Sequence, residues 1–458
     1  MKYRANPNVY RIFSRWNKPN SPGFALAVSK AGKIVYSRGY GMADLDHKIP
    51  ITPGTVFHAC SLAKQFTAMC IMLLEGKGKL SLGDKVGDYV PELGELGSHI
   101  TIADMLHHIS GIRDQWVLVT MAGWRMSDDV VTLGDVLYFV NRMKTLNFHP
   151  RSGYSYSNTN YTLAGLIVER VSHKYLSDFA RKHIFAPLGM KSTTITNTHG
   201  QIMENRAYGY RAAGKAFEIR MPNYDLTGAT NLLTTVEDLV RWNHNFDSHV
   251  VGGKKALATM QEPVAKSNNY GLGLMRGDYK GLGLVEHDGR DAGYRSHLIR
   301  FPEQQLAIAL LGNVLLVDVE TADIVREVAD VYLPRKRAAA RQASAKTSAA
   351  VSAETSAVAP EYAAPKGFVG RYYSEEIDTV YEVALDRSSL RIERKKYLPS
   401  PLIPIAADTF GLDDFSNVLT SATVKFSRDA HGKIDGFRID DARPAPENQL
   451  LNFRFTRL

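Results

Sequence analysis

Residues 61–74 read Ser-Leu-Ala-Lys-Gln-Phe-Thr-Ala-Met-Cys-Ile-Met-Leu-Leu, a run of good helix formers that Gly76 and Gly78 can end. Its apolar residues leave almost no polar face, so the run predicts a helix that is buried in a core. Ser61 and Lys64 stand three residues apart and therefore share one face of this helix. A lysine one turn into a buried helix is hard to explain as a structural residue, and it indicates a catalytic role.

The pair Ser61 and Lys64 has the residue types of an activated nucleophile. A serine hydroxyl is a weak nucleophile that needs an adjacent base. A lysine serves as that base only when its pKa falls, and burial lowers the pKa of a lysine. Ser-x-x-Lys is a loose pattern, expected by chance about once or twice in a chain of this size, and the sequence contains it once. The buried helix is therefore what favours a functional interpretation.

Tyr156-Ser157-Asn158 is the second candidate, on a loop that begins near Pro150. A tyrosine beside a cation can share its proton and shuttle it, and an asparagine amide can orient both a lysine and a substrate carbonyl. Tyr-x-Asn alone carries no specificity. The simplest alternative is a polar loop that caps the next helix through Asn158 or Thr159.

His287-Asp288-Gly289 is the third candidate and is predicted to open an edge strand. Glycine in a strand lets a ligand approach the backbone closely. The backbone N–H of Arg290 can then form half of an oxyanion hole, and the N–H of Ser61 at its helix N-terminus can form the other half. Taken alone, His287 is better explained as a surface histidine at the start of a strand.

The first three quarters of the chain mix helices and strands. Predicted hairpins cover residues 24–37 and 296–311, the segment 84–196 is mainly helical, and residues 318–331 can form a closing helix. Thr234 to Glu237 has the spacing of a capping box that opens another helix. This pattern indicates an α+β domain.

The last quarter differs in character. Residues 334–365 are rich in Ala, Ser, Thr and Lys, which predicts a flexible linker. Short alternating segments then recur to the end of the chain, as in a small all-β barrel or sandwich. Because 458 residues exceed the usual size of one hydrophobic core, we expect a domain at 1–333 and a second at 366–458.

The composition excludes several classes of function. The net charge is +9, which would suit nucleic acid, but basic residues crowd the predicted linker and no aromatic and basic interleaving is present, so no nucleic-acid partner is expected. No His-Glu-x-x-His, Cys-x-x-Cys, phosphate-binding loop or dinucleotide fingerprint occurs, and we expect neither a metal nor an organic cofactor. The basic residues concentrated in the predicted linker are Arg335, Lys336, Arg337, Arg341 and Lys346.

The sequence does not identify the cellular compartment of the protein. Cys60 and Cys70, ten residues apart on or beside one helix, are about 15 Å apart, too far for a disulfide. No apolar run is long enough to span a bilayer, and the first residues lack the apolar segment of a signal peptide. The expected location is periplasmic or secreted if an export signal was trimmed, and cytoplasmic otherwise.

The order Ser-x-x-Lys, Tyr-x-Asn and then His-x-Gly resembles the class C β-lactamases and the D,D-carboxypeptidase, D-aminopeptidase and esterase relatives of the penicillin-binding-protein family. The resemblance covers roughly residues 9–333. Further matching segments are Pro22-Gly23-Phe24, Gly39-Tyr40-Gly41-Met42-Ala43-Asp44, Thr55-Val56-Phe57, Gly78-Lys79-Leu80-Ser81-Leu82, Leu106-His107-His108-Ile109-Ser110-Gly111-Ile112 and Thr235-Val236-Glu237-Asp238-Leu239. Jointly these motifs are highly specific, although each alone is not.

The resemblance implies an antiparallel sheet flanked by helices, with a helical lobe inserted after Ser-x-x-Lys. It implies that Ser61 is the acylated nucleophile, that Lys64 takes its proton, and that Tyr156 assists the leaving group and later activates water. By the same resemblance, Asn158 positions substrate and lysine. His287 takes the strand position where many β-lactamases have lysine. The C-terminal strands resemble a small lipocalin-like barrel, which in some relatives projects a loop near the catalytic site.

One departure from the family pattern bears on the substrate. His287-Asp288-Gly289 replaces the Lys-Thr-Gly of most true β-lactamases, whose lysine and threonine help to hold the β-lactam carboxylate. This favours a peptidase, amidase or esterase over an efficient β-lactamase. Arg290 and Arg295 are candidates to restore a carboxylate contact. Trp116 and Trp124 in the lobe are candidates to line a pocket, although core packing explains both equally well.

The sequence therefore predicts a serine hydrolase that forms an acyl-enzyme with an amide, peptide or ester substrate, with peptides that contain a D-amino acid among the candidates. The alternatives are a transpeptidase or cyclising enzyme, in which an amine accepts the acyl group, a β-lactamase, and a penicillin-binding sensor without turnover. Fold resemblance does not choose among them. The substrate is expected to be a small molecule or peptide, and the oligomeric state is left open.

Overall fold

The structure of the 458-residue chain is a computed structural model. The structure describes residues 6–126, 128–315, 319–334, 365–387, 389–413, 415, 419–443 and 450–458. Within them, no helix has the length and apolar character needed to cross a membrane.

The helices and strands are numbered in chain order. The helices are α1 (Pro7–Phe13), α2 (Ala63–Glu75), α3 (Ile102–Leu106), α4 (Gln115–Met121), α5 (Leu133–Arg142), α6 (Asn158–Ser172), α7 (Leu176–Ala180), α8 (Val236–Ser248), α9 (Gly253–Gln261) and α10 (Thr321–Tyr332). The strands of the first part are β1 (Phe24–Lys30), β2 (Lys33–Tyr40), β3 (Met42–Asp44), β4 (Ile49–Pro50), β5 (Phe57–His58), β6 (Val131–Thr132), β7 (Thr194–Ile195), β8 (Tyr210–Ala213), β9 (Ala216–Ile219), β10 (Tyr224–Asp225), β11 (Leu232–Thr234), β12 (Met275–Tyr279), β13 (Leu282–Asp291), β14 (Tyr294–Phe301) and β15 (Leu306–Gly312). The strands of the last part are β16 (Gly370–Ser374), β17 (Thr379–Asp386), β18 (Ser389–Glu393), β19 (Ser400–Pro401), β20 (Ile403–Ala406), β21 (Thr409–Asp413), β22 (Ser421–Arg428), β23 (Ile434–Asp441) and β24 (Phe453–Arg457).

A six-stranded antiparallel sheet forms the centre of the first part, in the order β12-β13-β14-β15-β1-β2. Every residue of β15 is buried, because α8 packs on one side of the sheet and α10 on the other. A strand that is covered on both faces is apolar throughout instead of alternating. The predicted antiparallel sheet flanked by helices is confirmed.

The inserted lobe holds α2 in its interior. This helix packs against α6, α7 and α9, and eleven of its thirteen residues are buried, including Lys64. It ends at Glu75, where Gly76 caps it, and Gly78 follows with the positive φ of 64° that a turn requires. The buried, glycine-terminated helix predicted from the sequence is thus present, but it begins two residues later than expected, after a 3₁₀ turn, and ends one residue later.

The last part is a nine-stranded, nearly closed antiparallel sheet, in the order β19-β18-β17-β16-β24-β23-β22-β21-β20. Buried and more exposed residues alternate along β22 and β24, as expected when one face of a strand lines a barrel interior. Aromatic rings from β16, β17 and β21 to β24 pack together in that interior, with Phe437 stacked on Phe455 at 4.7 Å and edge-on to Phe426 at 5.3 Å. The predicted small all-β barrel is confirmed.

The barrel packs on the helical lobe through a buried arginine. Arg113 is fully buried, and its Nε lies 3.0 Å from the carboxylate of Glu376 in the barrel. The same guanidinium donates to Thr145, Asn147 and the backbone oxygen of Leu451. Further bonds to carbonyl oxygens of the lobe come from Tyr381 to Met121, from Arg394 to Thr120 and from Tyr397 to Trp124.

The predicted linker at 334–365 lies outside the described residues except at its two ends. The domain limits at 333 and 366 therefore remain a prediction. The expected closing helix begins at Thr321, and residue 318, where it was predicted to start, also lies outside the described residues.

Two local expectations were wrong. His287 does not open a strand: it lies within β13, whose residues 282–286 pair with β12 and whose residues 285–291 pair with β14. From His287 onward β13 pairs only with β14 among the described strands, so the expected edge position is present, but it begins in the middle of a strand. The strand β12 could not be predicted from the sequence, because most of its residues are exposed and they show no apolar alternation. The cap of α8 is Thr235, whose hydroxyl accepts from the N–H of Asp238, one residue later than the predicted capping box.

Candidate active site

Ser61 lies in a short 3₁₀ turn, Cys60–Leu62, that leads directly into α2. The preceding residue, Cys60, has a left-handed backbone with φ of 52°, a conformation that costs a non-glycine residue roughly 1–2 kcal/mol. The turn presents Ser61 at the N-terminus of a buried helix, where the backbone dipole favours negative charge. Cys60 and Cys70 are both buried and free.

Lys64 is fully buried beneath Ser61. Its Nζ lies 3.1 Å from the Ser61 Oγ, 2.8 Å from the Asn158 Oδ1 and 2.9 Å from the backbone oxygen of Ala229. Burial lowers the pKa of Lys64 to about 7, while the nearby carboxylate of Asp114 favours the charged form. A neutral amine donates two hydrogen bonds and keeps a lone pair. In this geometry the amine can donate to Asn158 and Ala229 and accept the Ser61 hydroxyl proton.

Asp114 fixes the orientation of the Asn158 amide. One carboxylate oxygen of Asp114 accepts from the backbone N–H of Asn158 at 2.6 Å and from its side-chain Nδ2 at 2.8 Å. The Asn158 carbonyl oxygen is thereby turned toward Lys64. Sequence reasoning missed Asp114, because an aspartate before an apolar run predicts only the helix N-cap that it also forms for α4.

Tyr156 faces the same hydroxyl from the other side. Its phenol lies within hydrogen-bonding reach of the Ser61 side chain, and the Lys64 Nζ is 4.9 Å from the centre of its ring. Burial raises the pKa of Tyr156 well above 10, so the free protein holds a protonated phenol. The ring of His108 packs beside Tyr156 with 4.3 Å between centroids and holds the loop through the N–H of Ser157.

His287 is buried as a neutral imidazole. Its Nδ1 lies close to the backbone oxygen of Asp288 and must donate to it, so Nε2 accepts from the Tyr270 hydroxyl at 2.9 Å. Burial lowers the pKa of His287 to about 4. The side chain therefore supplies no positive charge to the cleft. It is not the surface histidine that His287 alone would suggest.

Gly289 is required by the segment that carries the nucleophile. A Cβ at this position would lie 2.7 Å from the Cβ of Cys60 and 2.3 Å from the Ser296 Oγ, so no larger residue fits. The glycine that is predicted to let a ligand approach the backbone therefore also lets the protein's own Cys60 approach it. The Arg290 side chain points to the other face of the sheet, where it pairs with Asp288 at 3.2 Å and with Glu320.

A cleft of about 800 Å³ opens above Ser61. Six of the seven candidate residues line this cleft: Ser61, Tyr156, Asn158, His287, Gly289 and Arg290. The seventh, Lys64, lies deeper, beneath Ser61. Further lining residues are Trp116, Tyr224, Thr230, Asp291 and Arg295, and the barrel contributes Thr420.

Sequence reasoning missed Tyr224, Thr230 and Asp291, which belong to no motif. Of the two tryptophans, Trp116 lines the cleft and packs on Tyr224 with 5.0 Å between ring centroids. Trp124 instead lies against the barrel, where its carbonyl oxygen accepts from Tyr397. Within the described ranges, no group of His, Cys, Asp and Glu side chains is arranged to hold a metal ion.

Comparisons with known proteins find a matching family model and similar sequences. The Beta-lactamase family model matches residues 11–331. A D-aminopeptidase of Gluconobacter oxydans is 28% identical over 300 residues, covering 64% of this chain and 56% of the relative. The chain thus spans little more than half the length of that protein.

Two solved structures show the same fold. The octameric penicillin-binding protein homologue from Pyrococcus abyssi superposes with a TM-score of 0.61 at 23% identity, covering 95% of this chain and 96% of the other. The D-amino acid amidase from Ochrobactrum anthropi SV3 superposes with a TM-score of 0.60 at 26% identity, covering 71% of this chain and 97% of the amidase.

Proposed function

The chain belongs to the Beta-lactamase family, and on this premise we propose that it is a serine hydrolase that forms an acyl-enzyme through Ser61. The observation that carries the proposal is the environment of the Lys64 amine. The Lys64 Nζ donates to two fixed acceptors, the Asn158 Oδ1 at 2.8 Å and the Ala229 backbone oxygen at 2.9 Å, and lies 3.1 Å from the Ser61 Oγ. A buried lysine with a lowered pKa has no evident structural use, whereas it suits a base that takes the serine proton.

In the acylation step, Lys64 takes the hydroxyl proton while the Ser61 Oγ attacks the substrate carbonyl. The developing oxyanion is stabilised by the backbone N–H groups of Ser61 and Arg290. Asp114 acts as a positioning residue, because it holds the Asn158 amide that in turn holds Lys64.

Proton transfer to the leaving group falls to Tyr156. Its phenol is protonated in the free protein and faces Ser61, so it can hand a proton to the departing amine or alcohol. The proton that Lys64 has taken then restores the phenol. In deacylation the same groups deprotonate water, which attacks the ester carbonyl and releases the acid.

The proposed substrates are amides of D-amino acids or peptides that begin with them. The relatives named as a D-aminopeptidase and a D-amino acid amidase support this class. The neutral His287 argues against efficient β-lactam hydrolysis, because no cation stands where the family's lysine would hold a carboxylate. The Arg290 side chain does not replace that cation, since it pairs with Asp288 and Glu320. Arg295 does line the cleft, from the neighbouring strand β14, and it is the remaining candidate for a carboxylate contact.

A panel of chiral amides tests this substrate class. We expect the protein to hydrolyse D-phenylalaninamide and D-alaninamide at least about tenfold faster, in kcat/KM, than the L-amides, a difference of about 1.4 kcal/mol between transition states. Ser61→Ala is the matched control and should hydrolyse none of them. Equal rates for the two enantiomers, or a penicillin hydrolysed faster than any amide, would contradict the proposed substrate class.

A further inference from the structure

Asp291 presents an unused carboxylate to the cleft. Along β13, side chains alternate between the two faces of the sheet. Gly289 packs against Cys60, so Asp291, two residues further along, lies on the same face as the nucleophile. Glu286 and Arg290 belong to the opposite face, where they pair with Arg326 and Glu320 around α10.

Neutral groups hold the Asp291 carboxylate in place. Its Oδ2 accepts from the Tyr224 hydroxyl and from the Thr230 Oγ1, which lies at 3.1 Å. His58 approaches to 3.9 Å, but burial lowers the pKa of that histidine to about 3, so it stays uncharged. The side chain of Asp291 keeps 15% of its surface exposed, and that surface faces the cleft.

The other cleft carboxylates are already satisfied. Asp114 accepts from the N–H groups of Trp116 and Val117 and from both nitrogens of Asn158. Asp288 pairs with Arg290. By contrast, in the part of the chain that the structure describes, no lysine or arginine lies within ion-pair distance of Asp291. A buried carboxylate without a directly paired cation is costly. Burial raises the pKa of Asp291 to about 7 and outweighs the more distant charges of Lys64 and Arg295 and the backbone N–H of Ala292, which lower that pKa.

The position of this carboxylate suits one part of the substrate. Residues two apart on a strand are separated by about 7 Å, so Asp291 lies about that far along β13 from Gly289, which touches the nucleophile turn. An acyl group on Ser61 carries its α-carbon one bond beyond the carbonyl carbon and its α-substituents two bonds beyond it. An ammonium on that α-carbon can therefore point along the strand toward Asp291.

We propose that Asp291 binds the α-ammonium group of the acyl part of the substrate, with Tyr224 and Thr230 holding the carboxylate in place. This inference rests on the proposed acyl-enzyme function and adds to it a requirement for a free amino group. Asp291 is then a specificity residue, which selects amino-acid amides and unblocked peptide N-termini over acylated ones.

The test compares substrates that differ only in the amino group. We would measure kcat/KM for the p-nitroanilides of D-phenylalanine and of 3-phenylpropionic acid, with wild type and Asp291→Asn. The amide of Asn is isosteric and can still accept from Tyr224 and Thr230. We expect the variant to lose at least about 30-fold on the amino substrate, the lower range for truncating one partner of a buried charge pair, and to change less than about threefold on the des-amino substrate. Asp330→Asn, which neutralises a surface carboxylate that pairs with Lys280 away from the cleft, should leave both rates near wild type.

Other outcomes would overturn the inference. A similar loss on both substrates would assign Asp291 a purely structural role, and no loss on either would leave it without a role in recognition. If the wild type prefers a 6-aminohexanoyl substrate to the α-amino substrate, and Asp291→Asn loses that preference, the carboxylate binds a side-chain ammonium instead. If the wild type turns over neither substrate, the proposed hydrolase function fails. Turnover of the des-amino substrate with no preference for the amine overturns the ammonium inference alone.

Discussion

Replacing Lys64 by methionine should lower kcat/KM by about 10²–10⁴-fold, the usual contribution of a general base. Lys64 is fully buried against the Ser61 hydroxyl, and its pKa of about 7 leaves it a free amine in half of the molecules at neutral pH. Lys64→Arg should be equally inactive, because a guanidinium stays protonated at any working pH. The measurement is the steady-state hydrolysis of an uncharged p-nitrophenyl ester.

The pH profile separates a base from a structural lysine. Only the neutral amine accepts a proton, so kcat/KM of the wild type should rise with pH through an apparent pKa of about 7 and level off above it. Because burial also raises the pKa of Asp291 to about 7, the profile should be recorded again in Asp291→Asn. The rise should persist in Asp291→Asn and vanish in Lys64→Met.

Lys79→Met provides the control for Lys64→Met, since Lys79 is exposed shortly after the end of the same helix. It should behave as wild type. A folded Lys64→Met protein, verified by its thermal transition, that retains more than a tenth of the wild-type activity would remove Lys64 from the mechanism.

Glu376→Gln should destabilise the folded chain by about 3 kcal/mol. The variant leaves the guanidinium of Arg113, which is fully buried, without its counter-charge, and breaking such a pair costs roughly 3–5 kcal/mol. We expect the lower end because Glu376 is 13% exposed and glutamine can still accept from the Arg113 Nε. The loss should appear as a lower denaturation midpoint in guanidinium chloride.

The neighbouring residue gives a matched comparison. Glu375 is 64% exposed and pairs with Lys144 at 3.4 Å on the surface, so Glu375→Gln should leave the midpoint nearly unchanged. If the two variants unfold alike, Arg113 does not depend on Glu376 for its charge balance. The interface between barrel and lobe would then owe its stability to its apolar contacts.

Much of the fold could be predicted because its longest elements follow simple patterns. The buried α2, the hairpin of β14 and β15, and the alternating strands of the barrel all carry strong periodicity. The strands that were missed are short and are defined by their partners. An example is β5, two residues that pair with β11 from a distant part of the sequence. Such pairings have no local signal, because the tertiary structure alone brings the segments together.

The same distinction applies to the site. Ser61, Lys64, Tyr156 and Asn158 stand in short motifs, and the structure brings them within contact of one another; their catalytic roles remain predictions. Asp114 and Asp291 stand in no motif, and an aspartate in a loop or strand has many uses. Their importance comes from where the fold brings them, one behind the Asn158 amide and the other on the cleft face of β13.

The polar residue that the sequence pattern explained least well was His287. Its position in the motif indicated a role in substrate binding, but its charge depends on burial and on Tyr270, which lies on another segment. A lysine at this position would bring a cation into the cleft, whereas the histidine is neutral. The motif alone predicts the proposed preference for amides over β-lactams, and the burial that keeps His287 neutral supports it.

The central claim is that Ser61 is acylated, and intact-mass spectrometry after incubation with a fluorophosphonate tests it most directly. The phosphonyl group replaces the hydroxyl proton and fluoride leaves, so the mass rises by one phosphonyl unit per chain. We predict a single adduct that maps to Ser61 in the wild type and is absent from Ser61→Ala. An adduct that persists in folded Ser61→Ala, or folded wild type that remains unlabelled, would contradict the account.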